Sequence, residues 1–344
     1  MTNQCKTKDY FHMSVTLKDV AREAGVSPSA VSRAFTDGAS VSDVTRDKVE
    51  KAAAALGYTP NALASSLTTG RTRLIGLVSN NFHNPVFLEV FDLFTRGLQE
   101  RGLRPLLVNL TDETNPARTV RMLRQYSVDG VVVASSTLTP DFASAFRDAK
   151  IPVVHSFGRH TTTPQVHVVG IDNIEGGRIA ARELVGRGYQ KVAFLGGPVT
   201  ATSTQDRLEG FISEMQKHSH IEVSQSFSDA YSFNAGRNEM IRLLTEGDLA
   251  EAYFCGDDVL SIGVLSALKD NGKRIPEDVG IIGLNDMEMS GWENINLTTI
   301  RQPIEQIISS SIELIVAMID DPDRYPEARL FPTSVVERGT LRRG

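Results

Sequence analysis

The sequence predicts a small all-α helix-turn-helix unit followed by a large α/β domain built from doubly wound parallel sheets. Three observations lead there. Residues 16–35 hold two short amphipathic segments meeting at a glycine. From residue 74 onward, apolar runs alternate with amphipathic stretches. The charge balance also changes sign between the two parts: residues 1–73 carry ten Lys/Arg against seven Asp/Glu, and the remainder 26 against 35. A cationic module on a large acidic domain fits a chain of which only the first part meets a polyanion.

Residues 1–14 are polar, show no periodicity and read as a disordered leader. In the next segment Leu17, Val20, Ala21 and Ala24 fall at i, i+3, i+4 and i+7, one apolar stripe of a short helix. Thr16 with Asp19 makes a capping-box-like start. Gly25 supplies a left-handed stop without a Cβ penalty. Ser27 and Pro28 read as N-cap and first residue of a second helix, because proline needs no amide partner there. On that helix Val31, with Ala34 or Phe35, packs inward, leaving Pro28, Ser29, Ser32 and Arg33 outside. That is how a recognition helix presents its N-terminal side chains to a DNA major groove. Arg33, the long cation among them, has the fork to bind guanine O6 and N7 together.

The same residues would also suit a plain αα-hairpin, but the following stretch narrows the choice. Residues 41–67 predict a third helix with Val49, Ala52, Ala53 and Leu56 on one face, N-capped by Ser42 and stopped by Gly57 and Pro60. Asn61 to Leu67 is a two-turn segment, too short to persist alone in water.

Apolar runs at 74–78, 106–108, 131–134, 153–154, 192–195, 252–255 and 279–282 read as buried parallel strands. Stretches 86–101, 115–126, 175–187, 204–217 and 258–271 read as crossover helices. Some 270 residues of this rhythm exceed one core, which predicts two lobes. In such sheets ligands sit beyond the C-terminal strand ends. Those ends place Asn80, Asn81 and Phe82 after the first strand, and Ser135 and Ser136 after the third. Phe157 and Arg159 follow the 153–154 strand, and Asp172 follows Val168–Ile171. Arg207 stands in R-L-x-G-F, Asp257 in GDDVLSIG, and Asn285 after Ile282-Gly283. Polar groups beside aromatics such as Phe82, Phe157 and Trp292 suit a polyhydroxylated ligand. Each also has a plainer reading: Phe82 and Phe157 as core, Arg207 paired to a surface carboxylate, Asp172 as a helix N-cap, Trp292 as a loop anchor.

Several classes are excluded. Leu195-Gly196-Gly197-Pro198 resembles a phosphate loop, yet no Lys-Ser/Thr follows, and neither G-x-G-x-x-G nor G-x-S-x-G occurs. The seven histidines show no metal-ligand spacing, and Cys5 and Cys255 are too few and too far apart for a disulfide framework or a zinc site. No enzyme activity, metal or cofactor is therefore expected. With no apolar run near 18 residues and no signal-peptide pattern, no membrane partner is expected either. The expected location is cytoplasmic, nucleoid-associated when bound to DNA.

The motifs V-S-x-x-x-V-S-R (26–33), V-S-x-x-T-R-x-K-V (41–49), L-G-Y-x-P-N (56–61) and A-x-x-L (64–67) match in order, and together the chain resembles the lactose-repressor (LacI/GalR) family over residues 15–342. The resemblance implies a headpiece at 15–60, a hinge helix and linker at 61–73, and a two-lobed, periplasmic-binding-protein-like core at 74–344. Chain crossings near 171–173, 299–301 and 326–330 would give a first lobe of 74–172 and 301–326 and a second of 173–300 and 327–344. It implies DNA contacts from Thr16, Ser27, Pro28, Ser29, Ser32, Arg33, Asn61, Ala64 and Leu67, with Leu67 wedging a minor-groove step. It places Arg207, Asp257 and Asn285 in an effector cleft. Gly256-Asp257-Asp258 and Asn285-Asp286 depart from the family's usual Asn-Asp and Asp-Asp, which alters the donor and acceptor set there.

The expected protein is a homodimeric repressor of catabolic or transport genes. It would bind double-stranded operator DNA and be released by a small effector, a sugar or sugar derivative. The alternatives are a corepressor-dependent regulator that binds a nucleobase or a partner protein, and a pure sugar-binding protein, which the headpiece argues against.

Overall fold

The computed structural model describes residues 15–36, 38–61, 66, 70–110, 115–247 and 249–343, so the expected leader lies outside it. Two compact units divide the chain, Met1–Thr72 and Arg73–Gly344.

The smaller unit holds three helices, α1 (Leu17–Ala24), α2 (Pro28–Ala34) and α3 (Asp43–Leu56). Their ends follow from local chemistry. The Asp19 carboxylate accepts from the Thr16 N–H (3.0 Å) and hydroxyl (2.6 Å) at the start of α1. Gly25 and Gly57 close α1 and α3 in the left-handed region at φ 65° and 64°. Ser27 and Ser42 accept from Ala30 N–H and Thr45 N–H. Val20, Ala21, Val31, Ala34, Val49, Ala52 and Ala53 form the core, and Phe35 lies against Tyr58 at 5.9 Å. Both Ala34 and Phe35 thus turn inward, Ala34 completely.

In the larger unit two six-stranded sheets form. The strands of the first sheet are β1 (Leu74–Ser79), β2 (Arg104–Asn109), β3 (Gly130–Ala134), β4 (Val153–Ser156), β5 (His167–Ile171) and β11 (Ala328–Phe331). The second holds β6 (Lys191–Gly196), β7 (Glu222–Phe227), β8 (Ala252–Cys255), β9 (Gly280–Asn285), β10 (Thr299–Arg301) and β12 (Ser334–Val336). Their orders, β11-β5-β4-β3-β1-β2 and β12-β10-β9-β8-β6-β7, are those of two doubly wound lobes. All seven expected apolar runs are strands. β7 is not among those runs because it is a largely exposed edge strand. Helices Pro140–Asp148, Phe233–Glu246 and Ile304–Asp320 add to the expected set.

One expected boundary is corrected. The expected second lobe includes residues 328–331, but β11 pairs in parallel with β5, Ala328 opposite Val168 and Phe331 opposite Ile171. The third crossing therefore falls between Phe331 and Ser334, after which β12 runs antiparallel to β10. Two short, half-exposed strands with similar patterns flank the crossing, so only pairing distinguishes them.

The site depends on one close approach in the second lobe. Helix Asn173–Gly186 packs on helix Thr202–Met215 so tightly that a Cβ on Gly210 would lie 1.8 Å from the Ile174 carbonyl oxygen, and one on Gly177 2.1 Å from that of Arg207. Glycine at both places lets Arg207 reach the cleft beside Asn173. Gly210→Ala should therefore cost about 1–3 kcal/mol through overpacking. Urea denaturation would show this as a lowered midpoint, and an unchanged midpoint would contradict the packing described.

Candidate functional site

In the smaller unit the face of α2 is set by its cap. Ser27 accepts from the Ala30 N–H at 3.2 Å and sits 3.0 Å from the Ser29 hydroxyl. Val31 and Ala34 face the core, so Pro28, Ser29 and Arg33 are exposed and Ser32 is half-buried. Arg33 pairs with no carboxylate among the described residues. Arg22 by contrast is held by Asp19 at 2.6 Å, and Arg46 donates to the Ala34 carbonyl at the end of α2. Thr16 and Asn61 are exposed as well. Ala64 and Leu67 lie outside the described residues.

The larger unit's cleft centres on Asp257, the N-cap of helix Asp258–Asp270, whose Oδ1 accepts from the Val259 N–H at 2.9 Å. Its Oδ2 accepts from Asn285 Nδ2 (2.8 Å) at the end of β9 and from Asn84 Nδ2 (2.9 Å) in the first lobe. Gln302 Nε2 donates in turn to Asn285 Oδ1. Burial pushes the Asp257 carboxyl above its ordinary pKa, opposed by the Arg207 charge and these hydrogen bonds. Arg207, 2 % exposed, donates from Nε to Asn173 Oδ1 at 2.8 Å and from Nη1 to the Gly256 carbonyl. The guanidinium is thus anchored by neutral oxygens within the field of a buried carboxylate.

Two more contacts join the lobes. The Ser136 carbonyl accepts from Ser203 N–H (3.1 Å) and Thr202 Oγ1 (3.0 Å). Arg159 grips Asp206 at 2.6 Å, with Thr202 O and Gln205 Oε1 completing its bonds. Between the lobes Val86, Phe87, Val90, Ser136, Phe157, Asp257, Asn285, Gln302 and Ile304 enclose about 20 Å³. That is room for about one water and far too little for a sugar ring, so ligand entry requires the lobes to part. Phe157 (φ 65°), Asn285 (φ 138°) and Asp286 (φ 58°) sit in the left-handed half of the backbone map. Such strain concentrates at functional sites.

The expected cleft residues divide. Phe157, Asp257 and Asn285 line the cavity, and Arg207 braces it from behind. Ser135 instead donates to Asn80 Oδ1 at 2.8 Å as a buried strut, and its neighbour Ser136 reaches the cleft. Asp172 caps the helix at Asn173–Gly186 by accepting from Glu175 N–H. Phe82 packs on Phe91 at 4.9 Å and half-buried Asn81 stands outside the lining, as does Trp292, 47 % exposed. Arg159 serves as an interlobe clasp. Asn84, Phe87, Asn173 and Gln302 join the site without having been expected there, although Asn84 lies in the polar loop after β1 and Gln302 directly after β10. Cys255 is buried with its thiol pushed up to about 12, so it is no nucleophile.

Comparison with known proteins agrees with both units. Residues 16–61 match the family described as bacterial regulatory proteins, lacI family, and residues 181–341 match a periplasmic binding protein-like domain. The HTH-type transcriptional repressor PurR of Vibrio cholerae serotype O1 (strain M66-2) is 32 % identical over 95 % of this chain and 98 % of its own length. The ribose operon repressor of Escherichia coli (strain K12) is 30 % identical over 94 % and 99 %. Among solved structures, the lac repressor dimer bound to operator and the anti-inducer ONPF superposes with a TM-score of 0.85. It is 26 % identical and the match covers 96 % of this chain and all of that one. The transcriptional regulator CelR–cellobiose complex gives 0.69 at 28 % identity, covering 95 % and 99 %.

If Arg159–Asp206 helps hold the lobes together, Asp206→Ala should shift the population toward parted lobes. The bridge is partly exposed, so the expected change is about 0–1 kcal/mol, up to roughly a fivefold shift in the ratio. Small-angle scattering would register a larger radius of gyration, and a profile identical to the wild type would show the clasp contributes nothing.

Proposed function

The chain belongs to the lacI family of bacterial regulatory proteins, and on that premise we propose that it is a homodimeric repressor of a near-palindromic operator, released by a small carbohydrate-like effector. The observation that carries the reading is the second helix of a capped helix-turn-helix, whose exposed face offers Pro28, Ser29 and Arg33, the last with no carboxylate partner among the described residues. A two-fold dimer presents two such helices to two half-sites. Thr16, Ser27 and Ser32 would support that docking, while Asn61, Ala64 and Leu67 would engage the minor groove between the half-sites.

The cleft supports the effector half of the proposal. Asp257 supplies acceptors, Asn285, Asn84 and Gln302 supply both kinds of polar group, and Phe87 and Phe157 add ring faces. That combination suits a neutral polyol, whose hydroxyls both donate and accept. Entry would replace the Asn84–Asp257 bond with ligand hydroxyls. Among the described residues no helix is long and apolar enough to cross a membrane, and a cytoplasmic site of action goes with the reading. Thermal-shift screening of the full chain against a sugar panel tests it, together with selection of bound sequences from a randomised duplex library.

Arg33→Ala should weaken binding to the selected duplex by about 1–3 kcal/mol and relax preference at one position per half-site. Full affinity with unchanged preference in a gel-shift titration would remove Arg33 from the base contacts.

Arg207→Ala should leave duplex binding intact while abolishing or greatly weakening the response to the sugar found in the screen. A buried guanidinium that balances Asp257 cannot be replaced by a methyl group. A variant released from the duplex by the same sugar concentration as wild type would contradict this.

A further inference from the structure

One polar group in the core of the first lobe has no part in the cleft chemistry described so far. His155, on β4, is completely buried, and the strand register sets it between Val133 of β3 and Val168 of β5. Its Nε2 lies 3.1 Å from the Ser135 carbonyl oxygen. A carbonyl only accepts, so Nε2 carries the proton and donates. Nδ1 is then a buried lone pair with no hydrogen-bond partner among the described residues. Burial pushes the imidazole down to about 4, which keeps the ring neutral near pH 7. A buried acceptor without a donor costs free energy. A phenyl ring would avoid that cost, and would lack the donor at Nε2.

The ring lies against two loops that both reach the second lobe. Holding the Ser135 carbonyl inward fixes the peptide leading into Ser136. The Ser136 carbonyl in turn accepts from Ser203 N–H (3.1 Å) and Thr202 Oγ1 (3.0 Å). On the flank of the ring is Gly158, where a Cβ would sit 2.5 Å from the imidazole Cγ and 2.6 Å from Nδ1. The bare backbone at Gly158 therefore rests directly on the imidazole. The next residue, Arg159, reaches Asp206, Gln205 Oε1 and the Thr202 carbonyl. Both loops thus end on one target, the first turn of helix Thr202–Met215, and the turn residues Thr202, Ser203 and Asp206 are buried beneath them.

We propose that His155 is a positioning residue for lobe closure: one buried imidazole aligns the Ser136 carbonyl and the Arg159 clasp on the same helix turn, so that the two contacts form and part together. The proposal rests on the reading of the cleft as an effector site that a ligand enters when the lobes part. Its distinguishing property is coupling. Two surface contacts on separate loops would add independently, whereas two that share a rigid brace do not.

The Ser203 N–H is bonded across the lobes, so its hydrogen exchange reports how often they part. The test measures that exchange at single-residue resolution on the full chain, with neither duplex nor sugar present. His155→Phe keeps a buried ring but loses the donor. Ser203 exchange should rise about fivefold, the effect of one lost hydrogen bond, while amides within β3 and β4 keep their wild-type rates. His155→Gln returns a donor at the reach of Nε2 and should return the wild-type rate at Ser203. Gly158→Ala presses the ring from its other side and should speed exchange with His155 in place. Asp206→Ala should accelerate Ser203 more in wild type than on the His155→Phe background, where the clasp has already lost its alignment. A folded His155→Phe chain with wild-type exchange at Ser203, a Gln variant as fast as the Phe variant, or equal effects of Asp206→Ala on both backgrounds overturns the proposal. If His155→Phe does not fold, Gly158→Ala decides, and a wild-type rate there overturns it. Such a failure leaves the DNA-binding and effector readings standing, and a failed sugar screen removes the effector reading without altering these rates.

Discussion

The larger unit is organised around the need to compensate one buried carboxylate. Asp257 is 5 % exposed and takes its hydrogen bonds from separate parts of the chain: the helix it caps, the end of β9, and a loop of the other lobe. Removing any partner of a buried charge is costly because the charge stays behind. The lobes therefore meet where Asn84 completes the set, and they separate only if something else supplies the missing donor. A ligand hydroxyl can do so. Lobe closure and ligand recognition thus draw on the same oxygen atom. Asn285 matters for the same reason: its amide donates to Asp257, whereas a carboxylate at that position would press two like charges together in a dry cleft.

That arrangement is held under strain. Phe157, Asn285 and Asp286 each occupy backbone regions that cost on the order of 1–3 kcal/mol for residues with side chains. Neighbours impose the geometry. Gly170 has no side chain to displace the Phe157 backbone, whose Cα would lie 3.3 Å from a Cβ there. Asp258, completely buried, accepts from Met287 N–H (3.0 Å), Ser290 Oγ (2.8 Å) and Thr299 Oγ1 (2.5 Å), pinning the loop after Asn285. Burial pushes the Asp258 carboxyl up to about 7, against those donors. Two adjacent acids consequently do different work. Asp257 faces the cleft, and Asp258 fixes the loop that aims Asn285 at it.

What could be read from the sequence was whatever depends on neighbours along the chain. Caps at Ser27 and Ser42, stops at Gly25 and Gly57, and continuous apolar strands are local signals, and they placed α1 to α3 and the sheet cores. Asp257 and Asn285 were visible because strand ends predict cleft positions. Asn84 and Gln302 were not, since their role exists only once the lobes meet; Asn84 and Asp257 stand 173 residues apart. Ser135 and Ser136 show the finer limit. Both follow the end of β3, in a loop with no strand alternation to separate their directions, and sequence alone cannot say which serine turns to the cleft. Trp292 was expected in the cleft as an aromatic suited to a polyhydroxylated ligand, but residue type alone carries no positional information, and the side chain is 47 % exposed outside the lining.

The interlobe contacts also bound what any effector can achieve. A ligand shifts a conformational equilibrium only by its difference in affinity for the two states. Here the protein supplies its own closing contacts: Asn84 to Asp257, Ser136 O to Ser203 and Thr202, and Arg159 to Asp206. A ligand that merely joined the closed form would add little to a state already favoured. One that displaces the Asn84–Asp257 bond must part the lobes against the remaining contacts, because about 20 Å³ cannot hold it. Any ligand larger than about one water molecule therefore needs the lobes to part, and the buried carboxylate stands where its hydroxyl groups would be met.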